Sequence, residues 1–99
     1  MPAPDLLLVE DDAALAELVQ WHFAKEGYAI RHTPNGEEAM ILVRERLPDI
    51  ILLDWMIEGM SGIELCRQLR RASNTANVPI IMLTARGEEE DRVRGLETG

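Results

Sequence analysis

What this 99-residue chain lacks narrows its chemistry before any motif does. It has one cysteine, Cys66, so no disulfide framework exists; the thiol falls in a helical pattern as a small buried or half-buried filler, and a reducing cytoplasm is the expected compartment. It lacks a basic face: 10 lysines and arginines stand against 18 acids, a net charge of -8, which argues against direct nucleic-acid binding or an anionic membrane surface and favours cations or basic proteins as partners. No apolar stretch approaches the roughly 20 residues of a membrane span, and MPAPDLLLVEDD carries no basic region before its short apolar run, so the chain reads as soluble and untargeted. The first loop, EDDAAL, has no glycine-rich phosphate cradle, which disfavours a nucleotide-binding protein. Linkers and low-complexity tracts are also missing. A hydrophobic content of 46% supports one core, and residues 1-99 are expected to form one domain.

What is present is an alternation of strand and helix. Asp5 to Val9 predicts a strand, and Ala13 to Glu26 a helix with Leu15, Leu18, Val19 and Phe23 at helical spacing and Gly27 as its C-terminal cap. Tyr28 to Thr33 is a more polar strand suited to a sheet edge; Pro34-Asn35-Gly36 turns into a helix from Glu37 to Arg46. Pro48 blocks continuation, and DIILLD (49–54) follows as a strand apolar on both faces, the pattern of a buried parallel sheet. A loop from Trp55 to Ser61 leads to a helix from Gly62 to Ala72, then a connection to Val78, the apolar strand Pro79 to Thr84, and a last helix from Glu88 to Glu97. Such alternation implies an α/β fold with parallel pairing and right-handed crossovers.

Three of the strands deliver polar groups to one sheet edge: Glu10 and Asp11 after the first, Asp54 at the end of the third, Thr84 at the end of the fourth. Ligands of open α/β sheets bind at this edge. Gathered carboxylates repel one another and either rise in pKa or demand a cation, and hard oxygen ligands with open positions suit Mg²⁺. With the ion in place, Asp54 can attack a phosphoryl group in line while a hydroxyl such as Thr84 stabilises the equatorial oxygens. Taken singly, each residue has a plainer role. The acidic triplet can cap the helix that starts near Ala13, with Asp12 the cap; Asp54 can be a turn residue and Thr84 a strand β-branch. His22 lies on the apolar stripe as a core-edge imidazole rather than a ligand, Trp21 covers the helix flank, and Trp55 can offer its N–H to a phosphoryl oxygen. Glu88 to Asp91 read as a solvated helix start.

VEDD (9–12), PDIILLDWM (48–56), SGIEL (61–65) and PIIMLTARGEEEDRVRGLETG (79–99) together resemble the receiver domain of two-component response regulators, most closely the PhoB-like, phosphate-regulon branch of the OmpR/PhoB subfamily. The resemblance implies a flavodoxin-like (CheY-like) doubly wound parallel sheet with strand order 2-1-3-4, and a sensor histidine kinase as phosphoryl donor. It implies Asp54 as phosphoacceptor, and Asp11, Asp54 and the Met56 backbone carbonyl as Mg²⁺ ligands. Glu10 acts on the ion largely through water, Thr84 is the hydroxyl that turns inward, and Ala85 is the adjacent backbone donor. The parent family pairs the domain with a winged-helix output, so any effect on transcription is indirect.

Three departures from the family pattern accompany these matches. Glu58 stands where the family usually has Pro; it either approaches the metal or its water shell or, the favoured expectation, faces solvent or an ordered water. Met56 and Arg86 occupy positions that tune water access to the phosphoryl group. The sequence stops at Gly99, before the fifth strand with its lysine and switch aromatic and the fifth helix, so the receiver is expected to be incomplete at its C-terminus, with the fifth βα unit absent. The apolar fourth strand then becomes an edge that invites homodimerisation or element exchange. Two other readings remain: a phosphohydrolase using Asp54, which would ordinarily have an acid where Met56 stands, and a pseudo-receiver that binds partners without chemistry.

Overall fold

The computed structural model describes residues 3–55, 57 and 59–83. Within them run β1 (Asp5–Val9), α1 (Ala13–Lys25), β2 (Ala29–Thr33), α2 (Gly36–Glu45), β3 (Ile50–Asp54), α3 (Gly62–Arg71) and β4 (Ile80–Leu83). Met56, Glu58, Thr84, Ala85, Arg86 and the helix expected over Glu88 to Glu97 lie outside the described residues.

Among the described residues all pairings are parallel and the strand order is β2-β1-β3-β4, the order that the family resemblance implies. β1 and β3 hold the centre, and their uninterrupted apolar runs follow from it, because a central strand of a two-sided sheet needs apolar side chains pointing both ways. Leu7, Val9, Ile51 and Leu53 face one core with Ala39 and Val43 of α2 and Leu65, Cys66 and Leu69 of α3. Leu6, Leu8 and Leu52 face the other with Ala16, Val19 and Phe23 of α1. Each fully buried leucine contributes about 2 kcal/mol of transfer free energy, so these two layers carry much of the stability. β2, at an edge, tolerates Arg31 and His32.

Side-chain caps set the helix starts. Asp12 accepts the Leu15 N–H at 3.1 Å, as the sequence suggested. Asn35 Oδ1 accepts the N–H groups of Glu37 at 2.8 Å and Glu38 at 3.0 Å, so α2 begins at Gly36, one residue earlier than expected, and it ends at Glu45. Ser61 Oγ accepts the Glu64 N–H at 3.1 Å, a Ser-x-x-Glu start for α3. Gly27, at φ 94°, closes α1 in the left-handed region.

At the amino-terminal end of the sheet, Asp5 accepts from Arg31 Nε at 3.2 Å and from Arg46 Nε at 2.6 Å. The Arg31 guanidinium also donates to the carbonyls of Leu42 and Arg46, both at 2.8 Å. One buried carboxylate thus ties β1, β2 and the end of α2 together, at the end of the sheet away from the carboxyl-terminal acids.

The buried face of α1 agrees with the expected stripe at Val19 and Phe23 and departs from it at Leu18. Ala16, Val19 and Phe23 face the sheet, whereas Leu18 is 61% exposed and Trp21 60% exposed. A helix this rich in apolar residues allows more than one stripe, and the small Ala16 is the residue that lets the helix axis approach the sheet. His22 is exposed rather than at the core edge, meeting Phe23 edge-on at 5.4 Å, and Trp21 carries the Lys25 ammonium 4.2 Å above its ring. Cys66 is fully buried, and burial pushes its thiol pKa up, opposed by Arg70 and Arg67.

An acidic pocket at the carboxyl ends of β1 and β3

The register determines which acids meet. Val9 pairs with Leu53, so the next residues along, Glu10 and Asp54, come out side by side where β1 and β3 end. Glu10, Asp11 and Asp54 each offer a carboxylate oxygen, and these lie within 4.8 Å of one another. Glu10 and Asp54 are buried, at 1% and 4% exposure, while Asp11 is open to solvent.

Glu10 is held from several sides. Its N–H donates to the Thr33 carbonyl at 3.0 Å, continuing the β1–β2 ladder, and its carbonyl accepts from His32 Nε2 at 2.9 Å. Its Oε2 accepts the Asp12 N–H at 3.0 Å, whereas Oε1 is buried with no hydrogen-bond partner among the described residues. Burial pushes the Glu10 carboxyl up to about 7; the Asp12 N–H opposes the rise, and the neighbouring Asp54 and Asp11 add to it. A buried carboxylate oxygen without a donor, facing two more carboxylates, is a site short of positive charge. Hard oxygen donors with one open flank fit Mg²⁺ in particular, which keeps several of its waters.

Asp54 is fixed by backbone on both sides. Its Oδ1 accepts the Trp55 N–H at 2.8 Å, so the N–H expected to serve a phosphoryl oxygen is engaged with the carboxylate itself, and it also lies 3.3 Å from the Leu83 carbonyl. The chain returns at once: Gly62 donates its N–H to the Trp55 carbonyl at 2.8 Å, and a Cβ on Gly62 would fall 2.1 Å from the Asp54 carbonyl oxygen. Only glycine lets α3 start against the backbone of Asp54. The sequence reading missed this contact; a glycine directly after the capping serine of an apolar-faced helix was its one signal.

The structure therefore brings Glu10, Asp11 and Asp54 together. β4 is described as far as Leu83, the residue paired with Asp54; Thr84, Ala85 and Met56 lie outside the described residues.

A parallel 2-1-3-4 sheet with acids at the ends of its first and third strands defines a class, and the chain belongs to it: the response regulator receiver domain family matches residues 6–99. Within that family it is similar to the phosphate regulon transcriptional regulatory protein PhoB of Rhizobium meliloti, with 53% identity over 96 residues. That match takes in 97% of this chain and 42% of the relative, so the chain spans about two fifths of the curated protein it resembles. Among solved structures, a putative response regulator from Chloroflexus aurantiacus superposes with a TM-score of 0.94 at 35% identity, covering 98% of this chain and 80% of the other. The receiver domain of the sensor histidine kinase PA1611 from Pseudomonas aeruginosa, with a magnesium ion coordinated in its active-site cleft, superposes with a TM-score of 0.88 at 29% identity, covering 98% of this chain and 80% of that one. The domain is a regulatory module of two-component signalling. Among the described residues no helix is long and apolar enough to cross a membrane.

Proposed function

We propose that this chain accepts a phosphoryl group from a sensor histidine kinase onto Asp54 in the presence of Mg²⁺, and that the phosphorylated form controls a transcriptional output. The observation that carries this reading is the buried Asp54 carboxylate beside Glu10 and Asp11, with Glu10 Oε1 lacking a donor among the described residues. Glu10, Asp11 and Asp54, with the Met56 carbonyl, would hold the ion, Glu10 acting largely through its waters. When bound, Mg²⁺ supplies the positive charge that offsets carboxylate repulsion and the charge of the incoming phosphoryl group. An Asp54 carboxylate oxygen forms the new P–O bond as the P–N bond of the kinase phosphohistidine breaks, and the imidazole leaves with the electron pair. The product is an aspartyl phosphate, and water returns it to Asp54 and inorganic phosphate. Thr84 and Ala85 follow the strand that pairs with β3, which suits a hydroxyl and an N–H directed at the phosphoryl oxygens. The PhoB relatives favour a cytoplasmic transcription regulator as the setting.

Intact mass spectrometry after incubation with phosphoramidate, a small P–N donor, tests the reading. A phosphate adduct that needs Mg²⁺ and disappears in Asp54→Asn is the expected result. A folded, Mg²⁺-binding protein that never gains an adduct would instead be a receiver-like interaction module.

A further inference from the structure

β2 and the turn that follows it connect Glu10 to the loop after Asp54. On the β1 side, Thr33 and His32 hold the backbone of Glu10. On the other side the turn lies against the loop that follows Asp54. A Cβ on Gly59 would fall 3.0 Å from both terminal atoms of the Asn35 amide, and a Cβ on Gly36 would fall 2.6 Å from Met60 Cγ and 3.1 Å from Ile57 Cδ1. Asn35 cannot easily give way. Its Oδ1 accepts two N–H groups of α2, and its own N–H donates to Thr33 Oγ1 at 3.1 Å. Gly59, at φ 88°, meets this fixed amide in a conformation that other residues rarely adopt.

We infer that Asn35 is a positioning residue for the acidic pocket: locked by the helix it caps, its amide is the stop that sets how far the loop after Asp54 lies from Glu10. The inference rests on the metal-dependent reading of Asp54. Mg²⁺ demands near-ideal octahedral geometry, so a loop displaced by a few tenths of an ångström degrades the site while leaving the fold intact.

The test is calorimetric titration of the full chain with MgCl₂, alongside thermal melting in EDTA, for wild type, Asn35→Ser, Gly59→Ala and the double variant. Serine caps a helix about as well as asparagine but is too short to reach Gly59. Asn35→Ser is expected to weaken Mg²⁺ binding about tenfold, the effect typical of losing a group that supports a ligand, with melting in EDTA little changed. Gly59→Ala is expected to weaken binding as well, and by less when Asn35 is already serine, since the atom it collides with is gone. Wild-type Mg²⁺ affinity in Asn35→Ser would overturn the inference and leave Asn35 a helix cap alone. Should Asn35→Ser also melt early, the cycle decides: coupled effects on Mg²⁺ affinity support the positioning role, and additive ones overturn it. A wild-type protein that binds no Mg²⁺ would overturn the site reading along with it, whereas normal wild-type binding with unaltered variants overturns the positioning role alone.

Discussion

Glu10 is the residue at which stability and function oppose each other. Its carboxyl, pushed from its ordinary 4.5 to about 7, binds a proton in the folded protein that the unfolded chain has already released. Between those values the native state holds more protons than the unfolded state, so in EDTA stability is greatest at the acid end of the window, falls as pH rises, and levels off above about 7. Denaturant melts at pH 5 and pH 8 measure this directly. Glu10→Gln is expected to flatten that slope and to stabilise the metal-free protein at pH 8 by about 1–3 kcal/mol, while lowering Mg²⁺ affinity. A variant that is more stable and worse at its task is what a strained functional residue predicts. Loss of stability at pH 8 in Glu10→Gln would show that its carboxylate has a partner that the described residues lack.

Elements place these residues, and they show what the sequence could and could not reveal. Asp54 was legible because Ile50 to Leu53 leave no polar side chain until the strand ends, and because Glu10 and Asp11 end the other central strand in the same way. Parallel pairing followed from alternation, the strand order from the family resemblance, and Asp12 from capping chemistry. The buried face of α1 was legible only in part: Val19 and Phe23 lie on the expected stripe, but Leu18 competes with Ala16 for the sheet, and only the sheet beneath decides. Nor could a lone glycine announce that α3 begins on the backbone of Asp54, since close approach is a tertiary fact. Gly62→Ala forces its Cβ into the Asp54 carbonyl and is expected to cost about 3 kcal/mol and to shift Asp54, whereas Trp21→Ala on the outer face of α1 changes stability by less than about 0.5 kcal/mol. At the far end of the sheet, Asp5→Ala leaves Arg31 and Arg46 without their shared carboxylate and is expected to cost about 3 kcal/mol with no effect on Mg²⁺ affinity. Chemical denaturation of the three variants checks the order.

Across the whole molecule, two leucine-rich layers hold a parallel sheet whose carboxyl edge concentrates negative charge in a chain that is already strongly acidic. Bound Mg²⁺ would link fold and site: by mass action, an ion held only by the native state adds about 2.7 kcal/mol at a hundred times its dissociation constant. That gain is expected to be larger at pH 8 than at pH 5.5, because Glu10 is ionised above about 7. Differential scanning calorimetry at both pH values, with and without MgCl₂, reads the difference. Whether Asp54 carries the phosphoryl group is read by borohydride trapping. An aspartyl phosphate is reduced to homoserine, which peptide mass mapping then locates. After incubation with phosphoramidate and Mg²⁺, homoserine is expected at position 54 and nowhere when Mg²⁺ is omitted. Homoserine at Asp11 or another aspartate, 5-hydroxynorvaline at Glu10 or another glutamate, or no reduced residue in a folded and Mg²⁺-loaded sample, would contradict the assignment.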